Sequence, residues 1–179
     1  MIKAEDAIRV ARSLIGTPYS QLDCINLIEK VIRTAPGGVP GYTTAGTNTL
    51  WRSYEASAKY KDLTWRQEGL AGAKAGMLAF KRDGSDVHHV GLVTESGTVI
   101  HSSSANGKVV ETPMDGSWQL LAEHRHIGTA DMLEGVDVEE EAEIVETYEM
   151  QPSEILCIDE AGNVWRPVGD FKIYRGSVD

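Results

Sequence analysis

Cysteine is scarce in this chain, which has only Cys24 and Cys157 in 179 residues. A chain of this length held together by disulfides would contain more, so a disulfide scaffold is excluded. No apolar run reaches about 18 residues, so no membrane-spanning helix is predicted. The N-terminal sequence MIKAEDAIRVARSLIG also lacks the apolar core of a secretory signal, and we expect a chain made in the cytoplasm.

Positive charge is scarce in the C-terminal part. Residues 131–179 contain 3 lysine and arginine residues against 14 aspartate and glutamate residues, whereas residues 1–130 contain 14 against 13. The acidic part should repel nucleic acids and anionic membranes, so neither is expected as a partner. The change in composition predicts a main domain at 1–130, followed at 131–179 by an acidic linker and a small β-rich extension.

The apolar pattern predicts helices first and strands afterwards. The predicted helices cover about 4–15, about 24–33 and a segment capped by Asn48 or Thr49 that carries Leu50, Trp51, Tyr54 and Ala58. The predicted strands are GMLAFK, VHHVGLVT, TVIHSS, KVVET and HRHI. Beyond residue 130, ILCID, NVWRPV and FKIYRG predict three short strands. Three short strands make too small a core to stand alone. We therefore expect the extension to pack on the main domain or on a partner, including a second copy of the chain, and to bury Trp165 and Phe171.

Two of the predicted strands, VHHVGLVT and TVIHSS, flank the loop Glu95-Ser96-Gly97 and form the clearest hairpin. A three-residue loop that ends in glycine is a common hairpin connection. If Thr94 pairs with Thr98, Gly91 lies opposite His101, and His89 lies diagonally across from His101. Side chains alternate along a strand, so the two histidines share a face and His88 points away from it.

Cys24 follows Asp23, which is predicted to cap the N-terminus of the second helix. A thiol in the first turn of a helix can become a nucleophile, because the exposed N–H groups and the dipole lower its pKa. A histidine can act as its general base when a third group orients the ring. Cys24, His89 and His101 are therefore a candidate triad, provided that the helix packs on the face carrying the histidines. The alternative is an ordinary core cysteine on the apolar side of the helix.

The motifs LIGTPY, DC, HHVGLV and VIHSS resemble, in this order, those of the NlpC family of papain-like cysteine peptidases, which cut peptides in bacterial cell walls. The resemblance covers residues 4–127. It implies an α+β papain-like fold in which N-terminal helices pack on an antiparallel sheet. It also implies that Cys24 is the nucleophile, His89 the base and His101 the orienting group, with no metal or cofactor required.

The resemblance further implies cleavage of peptidoglycan stem peptides at the γ-D-glutamyl bond to the diamino acid. Three departures from the family pattern touch the expected groove: a short SQLD segment before the cysteine, Ile25-Asn26 after it, and Met77 where the family has aspartate. The predicted substrate-binding residues are Tyr19, Asp23, Ser102 and Ser103. Tyr19 could equally be a packed turn aromatic, and the serines could simply end a strand.

Other functions are compatible with the same residues. The triad could serve an amidase that separates glycan from peptide, or an acyltransferase. The chain could instead be a phage structural protein with a vestigial site, docking through its acidic segment. The short spacing of the motifs in GTPYSQLDCIN resembles that of phage or prophage relatives. This resemblance predicts delivery to the cell wall by lysis, by a phage particle or by another route. A zinc site at His124 and His126 is a further, weaker hypothesis.

Overall fold

A computed structural model describes residues 1–132, 157–158 and 164–165. The chain divides into two compact units, Met1–Val136 and Asp137–Asp179, which are described separately. In the described residues, no helix combines the length and the apolar character needed to cross a bilayer.

The first unit begins with two amphipathic helices, α1 (Ala4–Ser13) and α2 (Cys24–Thr34), close to their predicted positions. The third predicted helix is wrong in extent. Helix α3 (Thr47–Trp51) is a short helix with Gly46 at its N-cap, followed by a 3-10 turn. Asn48 does not cap it, because its side-chain oxygen accepts a hydrogen bond from the backbone N–H of Val87 at 3.0 Å.

Six antiparallel strands form one sheet in the order β1-β6-β2-β3-β4-β5. Their bounds are β1 Thr64–Glu68, β2 Leu78–Asp83, β3 Asp86–Val93, β4 Thr98–Ser103, β5 Lys108–Pro113 and β6 Leu120–His124. The predicted β3–β4 hairpin is confirmed, with Leu92 opposite Ile100 and Val93 opposite Val99. The predicted strand HRHI is wrong, because β6 ends at His124 and the chain then turns. The edge strand β1 was not predicted.

The two faces of the sheet carry different cores. The face toward the helices contains Leu78, Val90, Leu92 and Ile100, which join Leu27, Ile28 and Val31 of α2 in the main core. The opposite face carries a smaller cluster that includes Val93, Val99 and Trp118. Alternation from Val90 and Ile100 places His89 and His101 on this second face. The helix therefore does not pack on the histidine face, which corrects the condition attached to the predicted triad.

In the second unit, β7 (Cys157–Ile158) and β8 (Val164–Trp165) pair antiparallel, with Cys157 opposite Trp165. These residues lie within ILCID and NVWRPV, the first two predicted strands of the extension. The predicted linker at Glu139–Glu141, the third strand FKIYRG and the predicted burial of the Trp165 and Phe171 side chains lie outside what the structure describes.

Candidate active site

The N-terminus of α2 is capped as its sequence predicts. Asp23 lies in extended conformation, and its Oδ1 accepts a hydrogen bond from the backbone N–H of Asn26 at 2.9 Å. This interaction satisfies one of the free N–H groups of the first turn and fixes where the helix begins. Cys24 is thereby held as the first helical residue, with 7% of its surface exposed.

The two predicted histidines are in direct contact. His89 Nε2 and His101 Nδ1 are 2.8 Å apart, and the ring planes are nearly perpendicular at 89°. Gly91 makes this approach possible. A Cβ atom there would lie 2.9 Å from the Cβ of His101 and 2.4 Å from a methyl group of Val99. The hairpin register thus brings the imidazoles together over a position without a side chain.

A third residue, Thr112 of β5, completes a chain of hydrogen bonds. His101 Nε2 lies 3.2 Å from Thr112 Oγ1. The network assigns the tautomers if each N–H donates to the next acceptor: His101 Nε2–H to Thr112, and His89 Nε2–H to His101 Nδ1. His89 Nδ1 is then left with a free lone pair, as a general base requires. Sequence reasoning missed Thr112, although strand alternation in KVVET could have placed it near His101.

The thiol of Cys24 reaches the sheet at strand β3. The backbone N–H of Val90, the residue after His89, lies near the sulfur and lowers the pKa of the thiol. This N–H lies on the edge of β3 that faces β4, because Thr94 N–H donates to β4 at Thr98 and the direction alternates along a strand. The β3–β4 ladder ends at Leu92, which leaves room there. The N-terminus of α2 therefore brings the thiol beside the strand segment that carries His89, although the helix body packs on the other face.

Burial and local hydrogen bonds act in opposite directions on the thiol. Burial raises the pKa of Cys24, and the hydrogen bond from Val90 lowers it. For both histidines burial is the largest effect and lowers the pKa to about 4, helped by the positive charge of Lys81. At neutral pH the site therefore holds a thiol and neutral imidazoles, and the proton moves when a substrate is attacked.

The other predicted site residues have different surroundings. Burial raises the pKa of the Tyr19 hydroxyl, and the negative charges of the Cys24 thiolate and of Asp23 raise it further. Ser102 is fully buried, and its hydroxyl donates to the backbone oxygen of Leu22. Ser103 Oγ accepts from Asn106. The Ser102 hydroxyl therefore points into the fold rather than toward a substrate.

His124 and His126, near the end of the sheet, lie side by side, with His124 buried and His126 half-buried. His124 Nε2 is 2.8 Å from the hydroxyl of Tyr42, and His124 Nδ1 accepts from the backbone N–H of His126 at 3.2 Å. Both ring nitrogens of His124 are thus engaged within the protein, and the ring is 1% exposed. His124 therefore offers no free ring nitrogen to a zinc ion.

No family model matches the chain, and no curated protein matches its sequence. Solved structures do match. The P60 domain of an antigen from M. avium subspecies paratuberculosis is 16% identical, with a TM-score of 0.51, and the match covers 69% of this chain and 94% of that domain. The NlpC/p60 domain of the peptidoglycan hydrolase SagA is 21% identical, with a TM-score of 0.47, and the match covers 67% of this chain and 97% of that domain. The peptidoglycan hydrolase RipB from Mycobacterium tuberculosis is also 21% identical, with a TM-score of 0.49, and the match covers 68% of this chain and 63% of RipB. The chain has the α+β, papain-like fold of the NlpC/p60 domains.

Proposed function

We propose that the chain is a cysteine peptidase that hydrolyses an amide bond in the stem peptides of bacterial peptidoglycan. The observation that carries the proposal is the 2.8 Å contact between His89 and His101, on the strand whose Val90 N–H acts on the Cys24 thiol. A hydrogen-bonded pair of histidines near a thiol at a helix N-terminus suits nucleophilic catalysis. The substrate class comes from the resemblance of the sequence motifs to the NlpC family.

The first step transfers the thiol proton of Cys24 to Nδ1 of His89 while the sulfur attacks the scissile carbonyl carbon. The carbonyl oxygen becomes an oxyanion, and the backbone N–H of Cys24 is a candidate donor to it. The His89 imidazolium keeps its Nε2–H directed at His101. Thr112 orients His101 in turn, so the proposed relay consists of neutral acceptors and not of a carboxylate.

In the second step the His89 imidazolium donates its Nδ1 proton to the leaving nitrogen, and the carbon–nitrogen bond breaks. The products are a free amine and a thioester on Cys24. Water then attacks the thioester carbonyl and gives its proton to His89, and the thiolate leaves and is protonated again. The net reaction consumes one water molecule and yields a carboxylate and an amine, with no metal or cofactor in the sequence of steps.

The proposed scissile bond joins the γ-carboxyl of D-glutamate to the diamino acid. Digestion of purified cell walls, followed by mass measurement of the released fragments, tests it. Fragments that end in D-glutamate with a free γ-carboxyl are expected. Release of whole stem peptides would show an amidase, and transfer of the acyl group to an added amine would show an acyltransferase. Intact walls after digestion would favour a structural protein with an inactive site.

A further inference from the structure

Trp118 lies against both histidines of the candidate site. Its ring centroid is 5.2 Å from that of His101, edge to face at 83°, and 5.6 Å from that of His89, tilted by 34°. The side chain is 2% exposed. Its indole N–H has no hydrogen-bond partner among the described residues, so the contact depends on the ring and not on its polar group.

The segment that carries Trp118 is fastened to strand β2. Gln119 N–H donates to the backbone oxygen of Phe80 at 3.0 Å, and Gln119 Oε1 accepts from the N–H of Arg82 at 2.8 Å. Lys81, directly opposite His89 in the ladder, places its Nζ 4.5 Å from the centre of the Trp118 ring and 2.7 Å from Ser117 Oγ. The ammonium group therefore holds the indole through a cation–π contact and the preceding turn through a hydrogen bond.

We propose that Trp118 is a positioning residue, which shields the His89–His101 hydrogen bond from water and fixes the planes of the two rings, with Lys81 holding the indole in place. The catalytic part of this inference rests on the proposed function. The shielding part does not, because it concerns a hydrogen bond that exists in the free protein.

Shielding matters because a hydrogen bond is electrostatically stronger where water is excluded. The hydrogen bond from His89 Nε2–H to His101 Nδ1 holds the His89 ring in one orientation, and rotation of either ring would break it and leave the lone pair of His89 Nδ1 without a fixed direction. Perpendicular and tilted aromatic contacts are the favoured geometries for rings and restrict such rotation. Trp118 thus acts on the base through its orientation and not by touching the reacting atoms.

The charged and titratable groups around the pair decide how its protonation responds to pH. Lys81 on β2 and His88 on β3 oppose protonation of His89. Asp115 of the Trp118 segment favours protonation of His101. The thiol of Cys24 from α2, whose pKa is lowered by the backbone N–H of Val90, is a further titratable group near β3.

The test compares Trp118→Leu and Trp118→Phe with a matched control, Trp51→Leu. Trp51 is also buried, at 4% exposure, but packs on Phe80 in the helix-side core. The first measurement is the exchange with water of the His89 Nε2 proton, followed by NMR in the full chain. We expect a slowly exchanging proton in the parent, in Trp118→Phe and in Trp51→Leu, and rapid exchange in Trp118→Leu.

The second measurement is steady-state hydrolysis of a soluble stem peptide across pH. A misplaced base should lower kcat by up to about 100-fold in Trp118→Leu with little change in KM. Trp118→Phe should restore most of the loss. Trp51→Leu should lower the melting temperature without changing kcat of the folded protein.

A slowly exchanging proton in Trp118→Leu would overturn the inference, whatever the activity. Rapid exchange in Trp118→Leu combined with a parent that hydrolyses no stem peptide would support the shielding and contradict the proposed function. Lys81→Met provides a second test that leaves the indole buried. Faster exchange is expected when the cation is removed, and unchanged exchange would show that Lys81 does not hold the ring.

Discussion

Cys24 is subject to two opposing effects, and their balance sets the resting state of the site. Burial raises the pKa of the thiol, whereas hydrogen bonds from Val90 and from the first-turn backbone N–H groups lower it. Burial also keeps His89 neutral. At rest the candidate site therefore holds a thiol and a neutral His89 imidazole, the proposed base, whose Nε2 is engaged by His101. The consequences are tested by substitution and by pH.

Replacing each histidine of the hairpin should give graded losses of activity. His89→Ala should reduce kcat/KM by about 10²–10⁴-fold, the usual contribution of a general acid–base group. His101→Ala should cost less, and His101→Asn should recover part of that loss, because the amide oxygen can accept the Nε2–H. His88 is exposed at the bulge of β3, so His88→Ala is the control with near-parental activity. Loss of activity in His88→Ala but not in His89→Ala would contradict the assignment of His89 as the base.

Activity should persist well below the pH at which an ordinary histidine becomes protonated. The pKa of His89 is lowered from its usual 6.5 to about 4 by burial, so the base stays neutral above about pH 4. We expect the acidic limb of kcat/KM near pH 4, measured on a soluble stem peptide under conditions where circular dichroism shows the chain to be folded. An acidic limb near pH 6.5 would show that the base is exposed to solvent.

At the scale of the elements, local patterns were predictable and long-range contacts were not. The β3–β4 hairpin follows from strand alternation around a short glycine loop, and the start of α2 follows from its Asp23 cap. Strand β6, with the sequence LLAEH, was misplaced because leucine, alanine and glutamate favour helices when taken alone. Strand β1 is polar, without an alternation of apolar and polar side chains, and it is stabilised by its pairing with β6.

In the candidate site, too, the local contact was predictable and the contacts between separate elements were not. The contact between His89 and His101 was predictable from register. The face on which α2 packs and the contact of Trp118 with both rings were not, because they depend on how separate elements meet. Side-chain alternation limits the possible neighbours within a sheet, but it contains no information on which helix covers which face.

A substitution at Gly91 tests whether the hairpin positions the histidine pair. A Cβ atom at this position would overlap Val99 and His101. We expect Gly91→Ala to destabilise the fold by about 1–3 kcal/mol, as overpacking does, and to reduce activity more than the lost folded fraction explains. Gly41→Ala is the matched control, since a Cβ atom there would have no neighbour within 4 Å. Thermal melting and kcat measure the two effects, and equal behaviour of the two variants would contradict the crowding at Gly91.

At the scale of the whole molecule, charge and compactness divide the chain in nearly the same region. The composition changes near residue 130, whereas the first compact unit extends to Val136. Ala130 exchanges backbone hydrogen bonds with Ala75, and Met132 packs on the smaller core. A cut at residue 130 would therefore damage the first unit. The separation into a catalytic domain and an acidic extension stays a prediction.

Truncation after Val136 tests this prediction. Cys24, His89 and His101 all precede the cut, so the shortened chain should retain hydrolysis of a small soluble peptide. It should be less soluble, because removing a docked extension would expose an apolar patch and bring the net charge close to zero. Activity assays and solubility measurements against the full chain provide the comparison. A folded but inactive product would show that the extension helps to form the groove, and unchanged solubility would contradict a docking role.

The proposed function depends above all on the thiol of Cys24 carrying the acyl group during hydrolysis. The most direct measurement is rapid acid quenching of the full chain with a soluble stem peptide, followed by mass spectrometry of the intact protein and of its proteolytic fragments. We predict an added mass equal to the acyl portion of the peptide, on the fragment containing Cys24, and neither adduct nor turnover in Cys24→Ala. Hydrolysis that persists in Cys24→Ala, or an adduct on another residue, would contradict this role.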